Sequence, residues 1–79
     1  MEIFKKGDSV TVALAGRQVD ATVQLASPNG VSLMLSFDAM LGGYVMFMPV
    51  FYSEERKCFT DLIESREVII AKRIDIHKN

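Results

Sequence analysis

Apolar and polar residues alternate along most of this chain, and the places where the alternation stops are as informative as those where it holds. Val10, Val12 and Leu14 alternate with Thr11 and Ala13, the period of two expected of a half-buried strand, whose successive side chains point to opposite faces. Gly7-Asp8 marks a turn ahead of this strand. Ala15-Gly16-Arg17 marks a tight reversal after it, since glycine reaches positive φ without a Cβ clash. The second strand sets Val19, Ala21, Val23 and Leu25 on one face against Asp20, Thr22 and Gln24 on the other, and the small Ala21 predicts close packing against a neighbour. Ser27-Pro28-Asn29-Gly30 is the strongest turn in the chain: proline presets φ, and Asn-Gly tolerates left-handed backbone. A third strand follows, with Val31, Leu33, Leu35 and Phe37 alternating with Ser32, Met34 and Ser36. These three strands predict an antiparallel meander.

From Tyr44 to Tyr52 the alternation disappears, and every residue is apolar, aromatic or proline. A strand of this kind offers apolar side chains to both sides of a sheet, so both sides need cover. Which side chains point outward depends on register, because a slip of one residue exchanges the faces. With Phe37 opposite Tyr44, Leu35 pairs with Met46 and Leu33 with Met48, sending Val45 and Phe47 outward beside Met34. With a bulge at Gly42-Gly43, Leu35 meets Phe47, and Tyr44, Met46 and Met48 face outward beside Met34. The bulged register is preferred, since Val45, Phe47 and Phe51 make the stiffer core while tyrosine and methionine suit adaptable interfaces. It assigns a partner interface to Met34, Tyr44, Met46 and Met48. The outward row is covered either within the chain, by residues 53–66 or the far wall of a curled sheet, or by a partner, most simply a second copy across a two-fold axis.

Residues 53–66 admit two readings. As a helix over 54–66, Cys58, Phe59, Leu62 and Ile63 form one stripe and Ser53 caps the start. As β structure, residues 53–56 are a hairpin turn, 57–60 a short return strand and 61–65 a helical turn. The second is preferred, because Cys58, Phe59 and Thr60 are poor helix formers and Tyr52 invites a strand partner. A final strand runs from Glu67 to about Arg73, with Ile74 and Ile76 as a possible extension and residues 77–79 expected to fray. The expected fold is mainly β: a small antiparallel barrel or strongly curled sheet of five to six strands with one short helical turn. The alternative is α+β with the 54–66 helix.

The lead-in Phe4-Lys5-Lys6-Gly7-Asp8 before Val10-Thr11-Val12 resembles the way many SH3-like small barrels begin their first strand. The resemblance covers roughly the first 30 residues and implies a fold, not a function.

Composition sharpens this picture in three ways. At 79 residues the chain is one domain, 1–79, and a domain of that size buries only about 60% of the surface its unfolded chain exposes. A 49% hydrophobic content and mean hydropathy of +0.20 are high for so much surface, and self-association relieves that. The net charge of -1 gives no global field to attract nucleic acid or an anionic membrane. A lone cysteine, Cys58, and the absence of a signal-peptide pattern or of an apolar run long enough for a spanning helix point to a soluble, cytoplasmic protein.

Chemistry has little to work with, and the expectation is a binding module rather than an enzyme, with no catalytic residue, metal site or cofactor. The single histidine, His77, lies third from the end, Cys58 has an apolar context, and the carboxylates are scattered rather than set at ligand spacing. Gly42-Gly43 lacks the spacing of a phosphate cradle. An enzyme assembled across an oligomer interface is a further option, pointing to Asp38, Tyr44 or Tyr52. The stronger alternative is a nucleic-acid-binding barrel: closure brings the first and last strands together, so Lys5, Lys6, Lys72 and Arg73 form one patch.

Overall fold

Six strands in chain order, β1 (Ser9–Leu14), β2 (Arg17–Ala26), β3 (Ser32–Leu41), β4 (Tyr44–Ser53), β5 (Cys58–Asp61) and β6 (Glu67–Lys72), pair antiparallel with their neighbours, and β6 returns to β1 to close a barrel. The computed structural model describes residues 3–41 and 44–73, with the side chains of 38–41 and 44 outside that description. The expected extension through Ile74 and Ile76, and His77, lie outside the described residues. Among those described there is no helix; 54–57 is a turn and 62–64 a second turn, so the hairpin reading of 53–66 holds and the short helical turn is absent.

Closure places one face of each strand inside. Val10, Val12, Val23, Leu35, Val50 and Val68 are fully buried, and Ala21 sits among them at 0% exposure, as its size foretold. Phe4 plugs the end where β1 begins: it is buried, and its ring meets Phe59 edge-on with centroids 6.1 Å apart, while Phe59 meets Tyr52 at 5.4 Å. Ile3 crosses behind Gly30, where a Cβ would lie 3.2 Å from the Ile3 Cγ2; with φ +76 as well, only glycine suits this position. The turn before it is held by its own polar groups. Ser27 Oγ lies 2.7 Å from Asn29 Oδ1 and accepts from the Ser32 N–H at 3.1 Å.

Leu14 pairs with Arg17, leaving Ala15 and Gly16 as a two-residue hairpin turn with φ of 53 and 81. Two successive positive φ angles are the type I′ pattern, in which Asn-Gly is the preferred pair. Alanine in the left-handed region is strained by its Cβ. Replacing Ala15 with Asn is therefore expected to stabilise the fold by about 0.5–1 kcal/mol, read from the urea midpoint at unchanged m-value.

Two irregularities set the faces. In β2 the register with β3 shifts between Val23 and Leu25, so Gln24 is the extra residue and Leu25 turns outward, at 60% exposure, instead of continuing the inward row. The Gln24 amide donates to Ser36 Oγ at 2.7 Å on the outward-facing side of the sheet, where Ser36 is buried beneath its neighbours, and this anchors the bulge. In the β3–β4 hairpin Leu41 pairs with Tyr44, and residues 37–39 stand opposite Met46 alone, while the expected bulge at Gly42-Gly43 lies outside the described residues. Neither expected register occurs. β3 continues to Leu41 rather than ending at Phe37, and Leu35 pairs with Met48, Leu33 with Val50 and Ser36 with Phe47.

Pro49 sits within β4 without breaking a ladder. The Tyr52 N–H donates to the Val31 carbonyl, which fixes the phase of the β3–β4 bonds and turns residue 49's backbone toward the β5 side. β5 ends at Asp61, opposite Val50, so no strand stands there to miss the proline N–H.

The β5–β6 seam is the shortest in the barrel, with only Phe59↔Val68 and Thr60↔Glu67 in register. The Arg73 N–H bonds to the Ser9 carbonyl, so alternate residues Ile69 and Ala71 also face β1, while the backbone groups of Ile70 and Lys72 face the β5 side beyond where β5 begins.

Candidate partner interface

Pairing across β2, β3 and β4 aligns Leu25, Met34 and Pro49 on the outer surface, and Phe47 and Phe51 flank Pro49 on the same face of β4. Leu25 and Phe47 are each 60% exposed and Phe51 40%, while Met34 is half-buried between its neighbours. The serines that alternate with Met34 reinforce the layout: Ser32 lies opposite Phe51 and Ser36 opposite Phe47, so the bulky rings have small neighbours.

The expected row of Met34, Tyr44, Met46 and Met48 is not assembled. Met48 packs against the core because Leu35, an inward residue, is its partner across the ladder. Met46 is 49% exposed near the barrel mouth, Met34 is on the outer face, and the Tyr44 side chain lies outside the described residues. The outward aromatics are instead Phe47 and Phe51, which the preferred register had placed inside. Their alternation with Met48, Val50 and Tyr52 is present in the sequence, but the phase is set by Leu35↔Met48, which composition does not reveal. Tyr52 packs into the core against Phe59, and the Asp38 side chain lies outside the described residues.

Closure does bring the start of β1 and the end of β6 together, as the basic-patch expectation required, but the cations arrive with partners. Lys72 Nζ is 3.6 Å from Asp8 Oδ2 and Arg73 Nη1 is 2.8 Å from Asp20 Oδ2. Lys5 and Lys6 are exposed, and the Lys5 N–H bonds to the same Asp8 carboxylate.

The one buried carboxylate in the described core, Asp61, is fully engaged. Its Oδ1 accepts from the N–H groups of Glu64 at 2.9 Å and Arg66 at 3.2 Å, and its Oδ2 from Arg66 Nε at 3.0 Å. Arg66 also reaches Glu64 Oε1 at 3.1 Å. Burial pushes the Asp61 pKa up, but the hydrogen bonds from the Glu64 N–H, the Arg66 side chain and the Arg66 N–H, with the guanidinium charge, outweigh it and hold the carboxyl below its ordinary value. A carboxylate held this way is a clasp for the 62–65 turn rather than a proton donor. Cys58 is shifted the other way: burial, a hydrogen bond to Glu67 and the Glu67 charge raise its pKa against the lowering effect of Arg56, which keeps the thiol protonated and poorly nucleophilic. Among the described residues no group of three His, Cys, Asp or Glu side chains is placed to hold a metal ion, and no helix is long and apolar enough to cross a membrane.

Comparison with protein-family models, with curated proteins and with solved structures gives no significant match.

Proposed function

We propose that this barrel is a non-catalytic binding module that self-associates through the outer face of β2, β3 and β4. The observation that carries this reading is the cluster of Phe47, Phe51 and Leu25 standing exposed around Met34 and Pro49 on a domain too small to leave such area unused. A closed barrel offers no full-length free edge, so association through a face is the natural geometry, and an antiparallel two-fold pairing stacks the same patch on itself. The reading keeps the resemblance to SH3-like small barrels, at the level of fold, and a cytoplasmic setting for the free Cys58. Nucleic-acid binding through Lys5, Lys6, Lys72 and Arg73 is the weaker reading, because Asp8 and Asp20 already neutralise two of the four.

Sedimentation velocity tests the proposal. The wild-type chain is expected to sediment as a dimer at micromolar concentration, and Phe51→Glu, which introduces a charge on an exposed position without touching the core, to weaken dimerisation by about 30-fold or more. A wild-type chain that stays monomeric to about 100 µM, or a dimer indifferent to Phe51→Glu, overturns it.

A further inference from the structure

At the end of the barrel opposite Phe4 the described residues frame a groove of ≈ 480 Å³. Its floor is apolar: Leu14, Phe37 and Met48 rest on the core from this side, with Val19 and Met46 on the rim. Two guanidiniums border it, and they differ in kind. Arg66 is committed to Asp61 and Glu64, whereas Arg17, an exposed residue at the first position of β2, has no carboxylate partner among the described residues. The interior below is filled, since Val12 and Leu35 are fully buried, so a ligand lies across the mouth rather than inside the barrel.

We propose that the mouth binds a small amphiphilic carboxylate, an apolar tail of medium length with one anionic head. The volume falls within the range of small-molecule sites, about 300–1,000 Å³, and barrel mouths are among the places such sites occur. The charge arrangement selects the head group. The Arg17 guanidinium, without a carboxylate partner among the described residues, offers a forked pair of N–H donors matched to a carboxylate, and Leu14, Phe37 and Met48 remove the tail from water. A dianionic head group gains less here, because the second guanidinium is already shared between two carboxylates. The site stands apart from the proposed dimer face, from which only Phe47 reaches its border.

Decanoate is the probe, titrated into the wild-type protein below its micellar concentration and followed through backbone amide shifts, with decanol as the uncharged control. Saturable shifts are expected at Leu14, Arg17, Val19 and Met48, with decanol binding about tenfold more weakly than decanoate. Arg17→Gln is expected to bring decanoate down to the level of decanol, and Arg17→Lys to retain part of the difference. Arg17 is exposed, so the spectrum away from the mouth reports whether the variant is folded; if it is not, the decanoate-to-decanol ratio on the wild-type chain decides alone. Absence of saturation, equal binding of acid and alcohol, indifference to Arg17→Gln, or shifts centred on Leu25 and Phe51 each overturn the proposal, the last by showing detergent-like adsorption to the outer face.

Discussion

Replacing Leu35 with alanine is expected to cost about 3 kcal/mol of folding stability, within the 2–5 kcal/mol span of buried leucine truncations. Among the described residues Leu35 is the largest of the fully buried side chains, and it lies where Val23 of β2 and Met48 of β4 flank it across the sheet. Its removal leaves a void that two opposed walls of a closed barrel cannot both collapse to fill. For a chain of 79 residues the total stability is on the order of 4–12 kcal/mol, so this single change removes a large fraction of it. Urea unfolding of the two proteins side by side measures the difference. The same truncation at exposed Ile63, which is 89% exposed, is expected to change stability by under about 0.5 kcal/mol.

The second large effect concerns Asp61. Its folded-state pKa is lowered from the ordinary value of 3.8, so the unfolded chain binds the proton more readily than the folded one. By linkage, the stabilisation this carboxylate gives is present above its unfolded pKa and is lost as pH falls through the carboxylate range toward the folded value. Unfolding midpoints measured from pH 7 down to pH 2 are expected to show this loss as a steepening at the acid end. Asp61→Asn removes the Asp61 part of that slope at every pH and lowers the midpoint at pH 7. The amide can still accept from the Glu64 and Arg66 N–H groups through one oxygen, but depending on its orientation it presents an NH2 donor to Arg66 Nε or gives up the backbone bonds. An acid limb identical in wild type and variant would show that the clasp contributes nothing through its charge.

Most of the barrel is legible in the chain because its turns carry their own chemistry. Gly7-Asp8, Ala15-Gly16 and the 27–30 turn stand where the strands break, and the hairpin at 54–57 followed the poor helix propensity of Cys58, Phe59 and Thr60. Closure itself was anticipated only as one of two options, barrel or curled sheet. The candidate interface was less legible. Nothing in the composition of residues 19–25 distinguishes Leu25 from Val19, Ala21 and Val23, since all four share one alternating row, and only the extra residue at Gln24 turns Leu25 out. Likewise β3 runs on through 38–41, and three residues of it oppose one of β4. Strand length and bulges are settled by how two backbones meet around the barrel, a non-local matter on which a single strand's pattern is silent. The prediction that an apolar row faces outward survived the error of register, because residues 44–52 are apolar at both parities and some of them had to point out.

The brevity of the β5–β6 seam gives this barrel a preferred line of opening. Every other strand pair holds at least four residues in register, so a fluctuation that parts Phe59 from Val68 and Thr60 from Glu67 unrolls the closed wall while leaving the meander of β1 to β4 intact. The unrolled form carries two free edges, β5 and β6, and the Ile70 and Lys72 backbone groups already lie along one of them. In a crowded solution such an edge is a template for exchanging strands between copies, so the same seam that completes the barrel also governs how readily it trades partners.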